Sequence, residues 1–302
     1  MDLKSKIILI SGATASGKST FAIKLAKKIN GEIINADSMQ VYKELSILTA
    51  KPKKSELKNI RHHLYGFVSV RKNFSTGDWL KNAKKKILEI NKRKKIPIIV
   101  GGTGLYFKAI TDGLVKIPNI PPKIRKRIRL LQIKLGQKKF FNKLIKLDPQ
   151  IKNRIQENDV QRAIRAYEIK YYTKKSIVNW FKKTKKIFSN EDFFKLYIDY
   201  PREDLIQRIN KRVEKMFQDG AIKEVVKFNQ LKVKGTNSSN KVIGINEISN
   251  YLAKECSLDQ AKDLISIKTR QYAKRQLTWA RGQMQSWSKI DPKNINSFLK
   301  KV

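Results

Sequence analysis

Cysteine is nearly absent: Cys256 is the only one in 302 residues. That excludes an internal disulfide framework and a cysteine-based zinc site, and it fits a reducing compartment, the cytoplasm. No apolar run approaches the length of a membrane span, and the N-terminus has no signal-peptide layout, because its apolar stretch reads as a buried strand. No membrane association is therefore expected. Acidic residues are scarce, 25 against 67 lysines and arginines, for a net charge of +42. A chain so short of acid suits a polyanionic partner. It is also crowded with Lys, Ile and Asn, as an AT-rich genome would produce, so many lysines read equally well as compositional drift on solvated faces. The arginines carry more information, and they cluster at 125–129, 154–165, 202–212 and 270–281. The length sits between one large domain and two small ones, and 40% hydrophobic residues can build a real core.

What is present is organised around one stretch. Ile7 to Ile10 is a short β-branched run, followed by Gly12-Ala13-Thr14-Ala15-Ser16-Gly17-Lys18-Ser19 and then by helical spacing from Phe21 to Ile29. Strand, glycine-rich loop and helix stand in the order that phosphate capture requires. The glycines let backbone N–H groups turn inward, the helix N-terminus adds a positive dipole, and Lys18 adds a full charge. The Ser19 hydroxyl is placed to hold Mg²⁺. The loop alone does not say which phosphate it holds; a nucleotide and a bare diphosphate ester both fit.

Glu32 to Asp37 reads as a second strand ending in a carboxylate. Ligands of open parallel sheets bind beyond the carboxyl ends of the strands, which puts Asp37 near the phosphate loop; a helix N-cap is the competing reading. His62 and His63 are adjacent with no third ligand nearby, so a hydrogen-bonded structural role is favoured over metal. Ser75 and Asp78 form a capping box for a helix to Lys94, with Trp79, Ala83, Ile87 and Ile90 on one face. Ile96 to Val100 is a buried strand running into Gly101-Gly102-Thr103-Gly104, where glycines permit close approach of another chain or ligand. It lacks the terminal Asp of a nucleotide hydrolase, which argues against ordinary ATP hydrolysis.

From 118 to 190 the chain reads as a basic all-helical insertion, with helices over 123–135 and 160–172. Gln161, Arg162 and Arg165 fall near one another on the second, while Ala163, Ile164 and Tyr167 can face inward. A nucleic-acid surface is favoured over a merely solvated face by the arginine content. Phe193 to Ile198 returns to a strand, and Arg208 and Arg212 share one face of the helix that follows. The long helix from Leu258 to Met284 interleaves basic and aromatic residues; Tyr272 and Trp279 fit either RNA stacking or core. The fold expected is α/β: a parallel-sheet core like that of P-loop NTPases, over 1–117 and 191–302, interrupted by the helical insertion.

Taken together, these motifs resemble the tRNA dimethylallyltransferase (tRNA isopentenyltransferase) family nearly end to end. The likeness rests on Gly12–Ser19, Asp37–Tyr42, Thr49–Pro52, His62–Leu64, Gly101–Tyr106, Asn158–Arg162 with Arg165, and Arg270–Arg281. The chain departs from the family pattern at Ala13, Leu48 and Ile245-Asn246, and no C-terminal zinc finger follows, so the bacterial type is expected. The resemblance implies transfer of a dimethylallyl group from dimethylallyl diphosphate to N6 of the adenosine immediately 3′ of the tRNA anticodon. It implies that Thr14, Lys18, Arg212, and Ser19 with Mg²⁺, stabilise the departing diphosphate, while Asp37 accepts the N6 proton. Ser38, Met39 and Gln40 would line the flipped base. Thr103, Arg125, Gln161, Arg162, Ala163, Ile164 and Arg165 match positions that contact the anticodon stem-loop. A monomer is expected. The alternatives are an adenylate isopentenyltransferase, which needs no basic insertion, a small-molecule kinase with a helical lid, and an RNA-binding module with a vestigial loop.

Overall fold

The computed structural model describes Leu3, residues 6–57 and residues 60–302. The chain forms two compact units, one running to Thr111 and resuming at Phe188, the other spanning Asp112–Ile187. The second unit thus starts and ends slightly before the expected 118 and 190. Its two ends meet: Gly113, at φ 89°, packs so tightly on Lys185 that a Cβ there would lie 2.2 Å from the Lys185 carbonyl oxygen.

The first unit opens with β1 (Ile7–Gly12), buried at every position, and α1 (Lys18–Lys28). β2 (Gly31–Asn35), β3 (His62–His63), α2 (Thr76–Lys92), β4 (Ile96–Gly101) and α3 (Gly104–Thr111) follow. α2 begins at the expected capping box. Ser75 Oγ accepts from the Asp78 N–H at 3.1 Å, and the Asp78 carboxylate accepts from the Ser75 N–H at 3.0 Å. Its stripe of Trp79, Ala83, Ile87 and Ile90 is buried, as the 3.6-residue period requires.

The second unit is helical, with α4 (Pro122–Leu147), α5 (Val160–Thr173) and α6 (Ile177–Phe181), and no strand among its described residues. α4 bends at Gly136 (φ 71°, ψ 165°), so the helix read over 123–135 is its first half. Ile128, Phe140, Leu144, Ala163, Ile164 and Tyr167 form this unit's own core. Asp159 caps α5 through the Arg162 N–H at 3.1 Å.

The chain returns to the first unit with β5 (Phe193–Ile198), α7 (Arg202–Gln218), α8 (Ala221–Gln230), α9 (Ile245–Leu252), α10 (Leu258–Gln283), β6 (Ser288–Ile290) and α11 (Ile295–Lys301). β6 and α11 escape the sequence reading. Three residues carry no usable period, and α11 is held by packing Phe298 and Leu299 against the core that contains α1.

All six strands are parallel, in the order β3-β2-β4-β1-β5-β6. β1 sits between β4 and β5, shielded on both sides, which is why its sequence is a continuous apolar run. This is the P-loop NTPase-like α/β core with helices on the sheet and an inserted all-α unit. From β1 the chain builds one side of the sheet first and the other side after the insertion. The crevice at the carboxyl end of β1 is thus the topological switch point. Gly101 brings the neighbouring strand ends into contact there: a Cβ on it would lie 2.1 Å from the Ala36 carbonyl oxygen.

Away from that crevice, β2, β3 and the end of α2 are tied by one buried carboxylate. Glu32, 1% exposed at its side chain, accepts from His63 Nε2 at 2.7 Å and from Arg93 Nη2 at 2.7 Å. Burial alone would raise its carboxyl, but the hydrogen bonds from Arg93 and His63 outweigh it and hold the group below its ordinary range. The stabilisation is therefore complete above the usual carboxylate pKa and is lost as pH falls through the lowered folded value. Glu32→Gln should cost about 1–3 kcal/mol near neutral pH. In thermal melts across pH, the gap between wild type and variant should close on acidification; a gap that widens instead would contradict this account.

Candidate active site

The carboxyl end of β1 leads straight into the phosphate loop. Ala15 and Gly17 adopt left-handed backbone, with φ of 63° and 79°, and Gly17 is the N-cap of α1 without any side-chain cap. The first turn of α1 therefore keeps its N–H groups free of a side-chain acceptor. Two helices brace the loop from outside. From α7, Arg208 Nε donates to the Ala15 carbonyl at 2.7 Å, and Arg212 Nη1 donates to Thr14 Oγ1 at 2.9 Å. From α10, Gln276 accepts from the Thr14 N–H at 2.8 Å and donates to the Gly102 carbonyl at 2.8 Å. One amide thus links the loop after β1 to the loop after β4.

Asp37 is positioned by its neighbours. Asn35, fully buried, accepts from the Asp37 N–H at 2.8 Å and donates to the Asp37 carbonyl at 2.9 Å. Trp79 Nε1 donates to the Asn35 carbonyl at 2.7 Å, anchoring the end of β2 to α2. The Asp37 carboxylate accepts from the Met39 N–H at 2.9 Å, the N-cap-like bond that was the competing sequence reading. That bond occupies Oδ1 and leaves the other oxygen for a ligand. Thr103 Oγ1 accepts from the Ser38 N–H at 2.9 Å and donates to Ser38 Oγ at 3.3 Å.

Thr14, Lys18, Ser19, Asp37, Ser38, Met39, Gln40 and Arg212 line one cavity of about 490 Å³, with Gly17 and Ala15 on its wall. The cavity sets two cations, Lys18 and Arg212, in the field of one carboxylate. Enclosure lowers the Lys18 ammonium to about 8; Asp37 opposes that shift and Arg212 adds to it. The Tyr272, Tyr106 and Tyr65 hydroxyls are pushed above their ordinary range, first by burial and then by the charge of Asp37, and stay protonated. Gly12 and Thr103 line an adjoining cavity of about 250 Å³, with Tyr272 forming part of the wall of both.

Ala13 and Ser16, also expected to hold the phosphate, are each 1% exposed and line neither of these two cavities. In the second unit Arg125, Gln161, Arg162 and Arg165 are at least partly exposed. Ala163 and Ile164, carried over as tRNA-contacting positions, are 0% and 7% exposed. They belong to that unit's apolar core, and as direct side-chain contacts they are corrected. His62 and His63 make the expected structural hydrogen bonds, His62 to the Ile60 carbonyl at 2.8 Å. No cluster of His, Cys, Asp and Glu able to hold a metal occurs among the described residues. Ser19 lines the cavity directly after Lys18, the position whose hydroxyl in P-loops shares Mg²⁺ with phosphate and water. Sequence reasoning missed Gln276 as a brace and Arg208 as a support of the loop. Gln276 did lie in the quoted Arg270–Arg281 segment, but nothing in its spacing distinguished it from a surface residue.

The arrangement sets a carboxylate from the loop after β2 opposite a glycine-rich strand–loop–helix turn and two cations, in a P-loop-like fold. The chain matches the family model described as IPP transferase over residues 40–283. It is 61% identical to the tRNA dimethylallyltransferase of Pelagibacter ubique (strain HTCC1062), across 100% of this chain and 96% of that protein. Among solved structures, it resembles the full-length tRNA isopentenylpyrophosphate transferase of Bacillus halodurans (TM-score 0.70, 31% identity, 98% of this chain and 95% of that one). It also resembles a eukaryotic dimethylallyltransferase caught in snapshots acting on tRNA (TM-score 0.81, 30% identity, 95% of this chain and 73% of that one). The chain belongs to the IPP transferase family.

With Lys18 titrating near 8, the loop should hold anions best below that pH and lose a charge above it. Affinity for inorganic diphosphate should fall by up to about tenfold per unit once pH exceeds roughly 8. Isothermal titration of wild type and Lys18→Met checks this. The variant should bind weakly and lack that limb, and an identical limb in both would assign the titration to another group.

Proposed function

We propose that this chain transfers a dimethylallyl group from dimethylallyl diphosphate to N6 of the adenosine immediately 3′ of the tRNA anticodon. The N6–C bond forms as the allylic C–O bond breaks; diphosphate leaves with the electron pair, and the N6 proton passes to a carboxylate. The observation that carries the reading is the single cavity in which Asp37 faces the phosphate loop, Lys18 and Arg212. A neutral aromatic amine is a weak nucleophile, so a carboxylate close enough to orient and deprotonate it suits the reaction. Lys18, Arg212 and Thr14 are the groups suited to the charge that grows on the leaving oxygen, which should be the larger contribution.

Strand β4 ends in glycine, with no carboxylate to support nucleotide hydrolysis, and transfer from an allylic diphosphate requires none. Ser19 would hold Mg²⁺, which would supply further charge neutralisation for the diphosphate. Ser38, Met39 and Gln40 share the cavity with Asp37 and would line an adenine flipped out of the anticodon loop. The basic helical unit, with Arg125, Gln161, Arg162 and Arg165, supports tRNA rather than a free nucleotide as the acceptor. The reading carries with it a cytoplasmic, monomeric enzyme. No helix among the described residues is long and apolar enough to cross a membrane.

Purified protein with Mg²⁺, radiolabelled dimethylallyl diphosphate and unmodified tRNA, without nucleotide, should label the base beside the anticodon, and a parallel tube with AMP should stay unlabelled. Label in AMP would reassign the acceptor; label in neither, with ATP turnover, would favour a kinase. Asp37→Asn should lower turnover by roughly 10²–10⁴-fold while tRNA binding stays nearly unchanged. Loss of tRNA binding with normal residual chemistry would remove Asp37 from the role of base.

A further inference from the structure

In the second unit, Glu168 on α5 is only 2% exposed at its side chain, yet three arginines converge on it. Arg165 Nη1 donates to Oε2 at 3.2 Å, Arg125 Nε lies 3.7 Å from Oε2, and Arg129 Nε lies 3.8 Å from Oε1. The arginine side chains themselves remain 42%, 46% and 45% exposed. Only one of the three is within hydrogen-bond distance, and Oε1 has no hydrogen-bond partner among the described residues. A carboxylate serving one ion pair for stability would close both oxygens on its partner. This one is shared among three cations that point outward.

The backbone explains the convergence. Arg125 and Arg129 stand one turn apart on α4, Arg165 and Glu168 one turn apart on α5, and the core of Ile128, Phe140 and Tyr167 fixes the two helices against each other. Three guanidiniums so placed repel one another, and without a central anion they would splay into solvent. With it, three positive charges and one negative leave a net of two, on side chains already gathered. Phosphate recognition by arginine depends on fixed fork geometry, and ordering long side chains in advance lowers the cost of binding.

We infer that Glu168 is a positioning residue for the nucleic-acid substrate: it gathers Arg125, Arg129 and Arg165 into a preformed clamp for tRNA phosphates. This rests on the tRNA reading above and deepens it. It adds Arg129, a member of the 125–129 arginine cluster that was not among the positions expected to contact tRNA, and it gives a buried acid a function on a face that would bind a polyanion.

The inference has a sign that simple charge counting opposes. Removing a carboxylate from a polyanion-binding face should tighten binding; losing the clamp should weaken it. The full-length chain carrying Glu168→Gln, neutral and of the same shape, is compared with wild type by filter binding of an unmodified anticodon stem-loop across salt concentrations, and by transfer kinetics. The expected result is a Kd and a KM for tRNA raised about tenfold, from weakened charge-assisted bonds, with kcat and the KM for dimethylallyl diphosphate unchanged. Binding that is unchanged or tighter overturns the inference. Arg129→Gln alters an exposed side chain and serves as the second variant should Glu168→Gln not fold. It should weaken binding and reduce the salt slope by about one, and an unaltered slope overturns the inference as well. A wild-type chain that binds the stem-loop but transfers no label would fault the proposed reaction and leave the clamp standing.

Discussion

The site depends on one close approach. The end of β4 touches the backbone that follows β2, and only a glycine at position 101 allows it, since a Cβ there would stand 2.1 Å from the Ala36 oxygen. That contact joins the segment leading into Asp37 to the end of β4. The backbone ladder adds to it, because the Ala36 N–H donates to the Val100 carbonyl and the Thr103 N–H to the Ala36 carbonyl. Next along the chain, Gly104 meets the Trp279 ring at 2.2 Å from where a Cβ would be, which lets α10 lie against the same loop and deliver Gln276 to it. A backbone with side chains at 101 or 104 would separate the carboxylate, the anion cradle and α10 at once.

Within that frame the proposed chemistry is a matter of charge placed before the reaction begins. Lys18 and Arg212 lie in a partly enclosed space where their charges are weakly screened, and Asp37 is the anion in their field. Both cations are held by hydrogen bonds to the loop: Lys18 Nζ donates to the Ala13 carbonyl at 3.1 Å, and Arg212 donates to Thr14 at 2.9 Å. A cradle built this way need not reorganise as an anion grows in it.

The sheet, the loop and the capping box of α2 were legible in the sequence because each rests on a local rule: a buried run, a glycine spacing, a box of two residues. Asp37 was legible as a candidate because strand ends point at the crevice of a parallel sheet. Gln276 was not, since an amide that bridges Thr14 and Gly102 across more than 170 residues leaves no local trace. Ala163 and Ile164 show the opposite error. A motif carries its buried members along with its exposed ones, and helical period alone had already turned both inward. The replacement at Leu48 finds its place only in three dimensions, where its side chain lies against Gly244, at φ 108° the N-cap of α9.

The scarcity of acid, which as composition says little, becomes informative once the acids are placed. Glu224 accepts from the N–H groups of Ser46, Ile47 and Leu48 and so fixes the turn before Thr49. Glu247 accepts from the Gly244 N–H at 2.8 Å and from Lys268, tying α9 to α10. Glu32 holds the outer strands, and Glu168 holds three arginines. A buried carboxylate without partners is costly, and Glu32, Glu224, Glu247 and Glu168 each have specific partners; Asp148, 1% exposed with no hydrogen-bond partner on either oxygen among the described residues, does not follow that pattern. Many lysines are exposed and obey no such constraint, Lys268 on Glu247 and the enclosed Lys18 being set apart from them. The buried acids thus mark arginines of the outer strands and of the helical unit whose geometry is specified, Arg93 and Arg165 among them, whereas Lys18 and Arg212 are placed instead by the Ala13 carbonyl and the Thr14 hydroxyl.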